Sequence, residues 1–127
     1  IVEKTLERGF RPSIFIFEYN ASYGPHNPIT IPYKSKFNYT KEHPARLYYG
    51  VSIMAWSNLL EKFGYTFVTV DSNGINAFFV KTDSFNSNFL EKVNPVSFID
   101  NKIERMNFGK AWEERFKLIK EMPFEIK

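Results

Sequence analysis

The chain has 127 residues, which is enough for one domain built on a single hydrophobic core. Its 17 Lys and Arg against 14 Asp and Glu give a net charge of +3, well short of that of a dedicated nucleic-acid-binding protein. Hydrophobic residues at 43% exclude general disorder, and the absence of Cys excludes a disulfide scaffold, a thiolate nucleophile and a Cys-ligated zinc site. No apolar run approaches eighteen residues, so we expect no membrane span and a cytoplasmic location.

The first two predicted elements are a helix and a strand. Apolar residues at helical spacing predict a helix over residues 1–8, ended by Gly9 and Pro12. Residues 13–19 then predict a strand whose unbroken apolar centre lacks polar alternation. That pattern is typical of an internal strand in a parallel sheet with helices on both faces.

A long Pro-rich loop is predicted over residues 20–46, and loops of this length inside a compact domain are more often functional than idle. Residues 47–63 then predict a helix that is apolar over most of its circumference and therefore heavily buried. We expect this helix to begin at Tyr48, Tyr49, Gly50 and Ser52. The free N–H groups at this helix start are suited to binding an anion. The structural alternative is that Gly50 allows the helix to pack closely against a strand.

The next part of the chain predicts an antiparallel hairpin. Residues 65–70 and 75–80 are rich in β-branched and aromatic residues, and the turn between them contains Asn73 and Gly74. A short helix over residues 83–93 and a break at Asn94 follow. The alternation of helices and strands predicts an α/β fold.

A last helix is predicted over residues 110–121. Ala111, Leu118 and Ile119 form a modest apolar stripe on this helix, and the spacing puts Arg115 on the same stripe. We expect the charged residues of this helix, Arg115 among them, to lie on a solvated face with weak local ion pairs.

Seven segments carry a resemblance to a known family. They are residues 17–25 (FEYNASYGP), 30–33 (TIPY), 48–52 (YYGVS), 64–65 (GY), 72–80 (SNGINAFFV), 112–115 (WEER) and 122–126 (MPFEI). In this order they resemble the C-terminal half of bacterial proteins related to the FkbM-type methyltransferases, which frequently accompany surface-polysaccharide genes. The resemblance covers nearly the whole chain.

The resemblance implies the fold and the cofactor. We expect a partial Rossmann-like α/β domain of the class I methyltransferase type, with a three-layer sheet that ends in an antiparallel hairpin. Residues 1–127 would form one domain, the substrate-side half of a longer one. The cofactor of the group, S-adenosylmethionine, binds on the upstream half. Since no G-x-G-x-x-G turn occurs in this chain, we expect the cofactor to bind the intact protein and not this chain alone.

The resemblance also implies a site at the carboxyl end of the first predicted strand, where open α/β sheets bind ligands. Glu18 is the candidate general base for an acceptor hydroxyl, provided that it is buried. Asn20, Tyr23, Tyr49 and Asn76 are the candidate substrate-binding residues for a small-molecule or glycan acceptor. The structural alternative is that Glu18 joins an ion pair, Asn20 caps the loop, Tyr23 packs in a turn and Asn76 binds loop backbone.

Two further patterns favour ordinary structure. Basic and aromatic residues alternate in and after the long loop, and they are Lys34, Lys36, Phe37, Tyr39, Lys41, Arg46 and Tyr48. Such a pattern can bind nucleic acid, but it is more often a solvated loop, so we do not expect nucleic-acid binding. His26 and His43 have no metal-ligand spacing, so no metal site is expected.

The leading hypothesis is thus a part of an S-adenosylmethionine-dependent methyltransferase that O-methylates a sugar or glycoconjugate hydroxyl. The first alternative is a non-catalytic α/β binding or interaction module that forms a homo-oligomer through exposed sheet edges. The second alternative is a truncated gene product without independent function.

Overall fold

The computed structural model describes residues 1–93 and 95–127 and is mixed α/β, with two antiparallel sheets. The helices are α1 (Val2–Glu7), α2 (Tyr39–Glu42), α3 (Ile53–Glu61), α4 (Ser87–Lys92), α5 (Lys102–Phe108) and α6 (Trp112–Lys117). The strands are β1 (Ile14–Glu18), β2 (Ile29–Thr30), β3 (Tyr65–Val70), β4 (Asn76–Lys81) and β5 (Glu125–Ile126). Short 3₁₀ turns span Ala21–Tyr23 and Thr82–Ser84. The break expected at Asn94 lies outside the described residues.

The larger sheet has the strand order β1-β4-β3. Strand β4 is antiparallel to both neighbours, with Ile16 opposite Phe78 on one side and Phe67 opposite Phe79 on the other. Strands β1 and β3 therefore run parallel to each other without touching. The predicted hairpin of β3 and β4 is confirmed, with an irregularity in register between Phe67 and Thr69.

The prediction of β1 as an internal strand of a parallel sheet is wrong. In the described part of the chain β1 pairs with β4 alone and lies at the sheet edge. Phe15 and Phe17 face the core, whereas Ile14 and Ile16 are 50% and 56% exposed. Isoleucine at two of the three outward positions of β1 hid the alternation of a one-sided strand. Because this outer face is exposed, the sheet has two layers at β1 instead of the expected three.

Two hydrophobic clusters fill the interior. The first joins one face of the larger sheet to α1 and α3 and contains Leu6, Tyr19, Ala21, Ile53, Leu60, Tyr65, Val70, Ala77 and Phe79. The second packs the loop after β1 against the C-terminal segment and contains Tyr23, Ile29, Leu47, Tyr48 and Ile119. The smaller sheet, in which β2 pairs with β5, closes this second cluster.

The central helix α3 starts later than predicted. Ser52 is its N-cap, and its hydroxyl accepts a hydrogen bond from the backbone N–H of Ala55 at 3.0 Å. Tyr48, Tyr49 and Gly50 therefore precede the helix. Gly50 has φ +68°, a left-handed conformation that interrupts helical structure.

The remaining elements confirm some predictions and correct others. Helix α1 and the short helix α4 are confirmed, whereas α6 is shorter than the predicted span of residues 110–121. Helix α5 was not expected from the sequence, and the loop over residues 20–46 contains a 3₁₀ turn, β2 and α2. In the described ranges, no helix combines the length and apolarity needed to cross a membrane.

Two glycines allow close approaches that position the C-terminal third. A Cβ at Gly24 would lie 2.3 Å from the Trp112 ring, and a Cβ at Gly74 would lie 2.3 Å from the Asp100 carbonyl oxygen. Both glycines also have positive φ, at +75° and +74°. The segment after α4 and the start of α6 therefore pack directly on backbone that follows β1 and β3.

Candidate functional site

A buried arginine is the centre of a polar cluster beyond the carboxyl end of β1. Arg115, on α6, is 0% exposed. Its two terminal nitrogens bind both carboxylate oxygens of Asp100, its Nε donates to the Ser22 hydroxyl at 2.9 Å, and its Nη1 donates to the Lys110 carbonyl at 2.8 Å. A guanidinium is suited to this place because its planar fork pairs with a carboxylate through two parallel hydrogen bonds.

Glu104, on α5, connects this arginine to Tyr49. One carboxylate oxygen accepts a hydrogen bond from Ser22 at 3.0 Å and lies 3.6 Å from the Arg115 guanidinium. The other accepts from the Tyr49 hydroxyl at 2.6 Å. The side chain of Glu104 keeps 15% exposure, so the cluster reaches the surface at this carboxylate and at Tyr49.

Asn20 and Tyr23 are buried and bind backbone. The Asn20 amide donates to the carbonyls of Leu47 and Tyr49 at 2.7 and 2.9 Å, and its oxygen accepts from the Ser22 N–H at 2.9 Å. The Tyr23 hydroxyl donates to the Tyr49 carbonyl at 2.8 Å and accepts from the Tyr49 N–H at 3.0 Å. Their polar groups therefore fix the position of the segment that carries Tyr49.

The tyrosines of this region stay protonated at neutral pH and act as hydrogen-bond donors. Burial, reinforced by the charge of Glu104 and its hydrogen bond, raises the pKa of Tyr49 far above its usual value, and Glu18 adds to this effect. Burial likewise raises the pKa of Tyr23, and it raises the pKa of Tyr19 to about 12. Tyr49 can thus donate a hydrogen bond but cannot act as a base.

Glu18 and Asn76 lie opposite each other on β1 and β4. Glu18 is exposed, so the burial expected of a general base is not found, and its backbone carbonyl accepts from the Trp56 indole at 2.9 Å. The Asn76 amide donates to Asp71 at 2.9 Å. Asn76 is half-buried, whereas the charge of the exposed Glu18 is close enough to act on Tyr49.

The structure divides the predicted site residues into two groups. Glu18, Tyr49 and Asn76 reach the surface at the end of β1, whereas Asn20 and Tyr23 lie beneath them. Sequence reasoning missed four other members of the cluster, which are the buried Ser22 and Arg115 and the partly buried Asp100 and Glu104. The expectation that Arg115 lies on a solvated face is wrong, and its place on the apolar stripe of α6 was the signal that could have revealed this.

An apolar cleft of about 450 Å³ opens on the other side of the segment that carries Tyr49. Its walls include Gly50 and Val51, three residues of α3, the first turn of α1 and residues 30–34. Trp56 forms part of the wall and stacks on Phe17 with ring centroids 4.2 Å apart. A cleft of this size is in the range of small-molecule sites.

The two loop histidines and Lys34 lie at or near the surface. His26 is exposed, and the Nδ1 of His43 accepts from the Ala45 N–H at 3.1 Å. Lys34 pairs with Glu42 at 2.6 Å. Across residues 1–93 and 95–127, no group of three or more His, Cys, Asp or Glu side chains could hold a metal ion.

Comparison with known proteins gives no relative: no protein-family model, curated protein or solved structure matches the chain. A functional proposal must therefore be argued from the residues and their geometry.

We expect Arg115→Met to destabilise the fold by about 3–5 kcal/mol, because Asp100 and Glu104 would remain as neighbouring carboxylates without their cation. Urea unfolding at neutral pH measures this change. Lys117→Met on the same helix is the control. Its ion pair with Glu114 is exposed to solvent, so little change is expected. Equal effects of the two substitutions would contradict a central role for Arg115.

Asp71→Asn should lower stability at neutral pH and have progressively less effect as the pH falls below about 4. Partial burial opposes the charge of Asp71, but hydrogen bonds from Ile75 and Asn76 outweigh it and hold the pKa of Asp71 below its usual value. A lowered folded-state pKa stabilises the fold above the unfolded-state pKa, and this contribution is lost as the pH falls through the folded-state pKa. Urea midpoints measured between neutral and acidic pH test the prediction. The control is Asp83→Asn at an exposed position, which should lower the urea midpoint at neutral pH less than Asp71→Asn does.

Proposed function

We propose that this chain is the C-terminal, substrate-side half of a class I S-adenosylmethionine-dependent methyltransferase-like protein, related to the FkbM-type group and cytoplasmic. The observation that supports it best is the position of β4. The resemblance implies a sheet whose last strand runs antiparallel to the others, and β4, the last strand of the larger sheet, is antiparallel to both β1 and β3. The free edge of β1 would then continue into the upstream strands of a Rossmann-like sheet.

Contacts between the segments that carry the resemblance to the FkbM-type group also support the proposal. Residues 17–25 contact residues 112–115 through the Ser22–Arg115 hydrogen bond and through the packing of Trp112 on Gly24. They also meet residues 48–52, where Asn20 binds the Tyr49 carbonyl. Sequence segments far apart in the chain thus build one connected region at the carboxyl end of β1.

The residues of this chain do not fit an S-adenosylmethionine site. Rossmann-type sites hold the cofactor at a glycine-rich turn that follows a strand and opens a helix. Among the described residues, the glycine after β1 is Gly24, and it packs under Trp112 with no helix beginning there. We therefore propose that the cofactor binds the upstream half.

The proposal gives this chain the task of holding the acceptor, a sugar or glycoconjugate hydroxyl. In the intact protein the upstream half would cover Glu18, whose carboxylate would then accept the proton of that hydroxyl, and the amide of Asn76 and the hydroxyl of Tyr49 would orient the neighbouring groups of the acceptor. Asn20 and Tyr23 would act indirectly, because they hold the backbone of Tyr49 in place.

A second candidate function is an interaction module that pairs through the edge of β1. The observation that favours it is the exposure of Ile14 and Ile16 on a strand with one free edge. Unpaired edges with apolar side chains are templates for pairing with another chain. A second copy of this chain would be the partner in that case.

Calorimetric titration of S-adenosylmethionine into this chain and into the polypeptide extended upstream separates the two candidates. Binding by the extended polypeptide alone would support the methyltransferase proposal. Absence of binding by both would reject it and favour the interaction module, which sedimentation equilibrium would then detect as a dimer. Binding by this chain alone would contradict the placement of the cofactor site.

In a polypeptide with methyl-transfer activity, Glu18→Gln should lower turnover by about a hundredfold or more, the usual contribution of a general base. In this chain alone, where Glu18 is exposed, the same substitution should change the free energy of unfolding by less than about 1 kcal/mol. Glu61→Gln at the exposed end of α3 is the matched control and should leave turnover unchanged. Unchanged turnover with Glu18→Gln would remove Glu18 from the catalytic site.

A further inference from the structure

The apolar cleft beside α3 is formed by residues outside the polar cluster. Its inner wall consists of aliphatic and aromatic side chains, among them Ile31, Phe37, Val51, Ala55, Trp56 and Leu59. This wall is fixed to the fold by backbone hydrogen bonds from Ile31 to Gly50 at 3.2 Å and from Ser52 to Ile29 at 2.9 Å. The cleft is therefore a preformed feature of the folded chain.

The polar side-chain groups of the inner wall are already bonded. The Thr30 hydroxyl donates to the Gly50 carbonyl at 3.1 Å, and the Trp56 indole N–H donates to the Glu18 carbonyl at 2.9 Å. A sugar ring placed against this wall would lose its hydrogen bonds to water without gaining replacements from these donors. Because burying an unpaired hydroxyl is costly, the wall disfavours a bare glycan.

The charged residues around the cleft balance each other. Lys127 lies 3.9 Å from Glu3 and 3.7 Å from Glu125, and Lys34 pairs with Glu42. The lining thus contributes two cations and two carboxylates, with no excess of either sign. An ion entering the cleft would find no unpaired counter-charge in these groups, so an uncharged ligand is favoured.

From the apolar wall, its bonded donors and its balanced charges, we infer that the cleft binds the uncharged apolar chain of an amphipathic small molecule, such as an alkyl or isoprenyl group. Tyr33, which is 79% exposed at the mouth, would contact the polar part of the ligand outside the cleft. Burial of the chain against Val51, Trp56 and Leu59 supplies the binding free energy. The inference does not depend on methyl transfer.

The test uses n-octyl β-D-glucoside below its micelle concentration, with methyl β-D-glucoside as the probe that lacks the chain. Each is titrated into the isotope-labelled protein and followed by methyl and indole NMR signals. We expect saturable shifts at Val51, Leu59 and Trp56 with the octyl compound and none with the methyl compound. Equal shifts with both would overturn the inference, as would shifts centred on the exposed Ile14 and Ile16.

A pair of matched variants adds a second readout. Leu59→Asp places a charge in the cleft wall and should weaken binding of the octyl compound at least tenfold. Leu118→Asp introduces the same charge at an exposed leucine outside the cleft and should leave binding unchanged. Undiminished binding by a folded Leu59→Asp protein would overturn the inference. If that variant does not fold, the wild-type NMR titration decides the question.

Discussion

Pairing of the buried Arg115 guanidinium with Asp100 and Glu104 holds the C-terminal third of the chain onto the turn that follows β1. Each partner needs the others, since a buried cation without carboxylates and two adjacent carboxylates without a cation are both strongly unfavourable. The four groups come from α6, the segment before α5, α5 itself and the 3₁₀ turn at Ser22. One ion cluster thus links four parts of the fold that are far apart in the sequence.

The segment from Leu47 to Ser52 separates two environments. On one side Asn20 and Tyr23 bind its carbonyls, and Tyr49 extends to Glu104. On the other side Gly50 and Val51 form part of the apolar cleft. A disturbance of the polar cluster should therefore also reach the cleft through backbone that both share, although no polar side chain of the cluster lines it.

The sequence predicted the local structure better than the long-range structure. The β3–β4 hairpin was predictable because β-branched residues flank an Asn-Gly turn, and α1 because Gly9 and Pro12 stop it. The prediction for β1 was wrong because two of its three outward positions carry isoleucine, whose exposure depends on which neighbours the sheet has. The start of α3 was misjudged because packing of Tyr48 in the second core holds residues 47–51 in a non-helical conformation.

The candidate site was predictable only in part, because it also depends on contacts between residues far apart in the sequence. Glu18 and Asn76 were placed by the ends of their strands, but the role of Asn20 depends on carbonyls 27 and 29 residues away. The partners of Arg115 could not be chosen from many acidic residues by sequence alone. The position of Arg115 on an apolar stripe was a sign of burial that the expectation of a solvated face overlooked, and it does not show what pairs with the guanidinium.

The separation of the paired residues along the chain also orders events during synthesis. Arg115 follows its partner Ser22 by 93 residues, and the Ile99 carbonyl follows Tyr19 by 80. At about 5–20 residues per second, Ser22 leaves the ribosome on the order of 5–20 s before Arg115 does. During that interval water hydrates the turn after β1. Strand β1 can pair with β4 only after β4 has been synthesised. Nascent chains translated from the same message are then the nearest strands with which its apolar edge can pair.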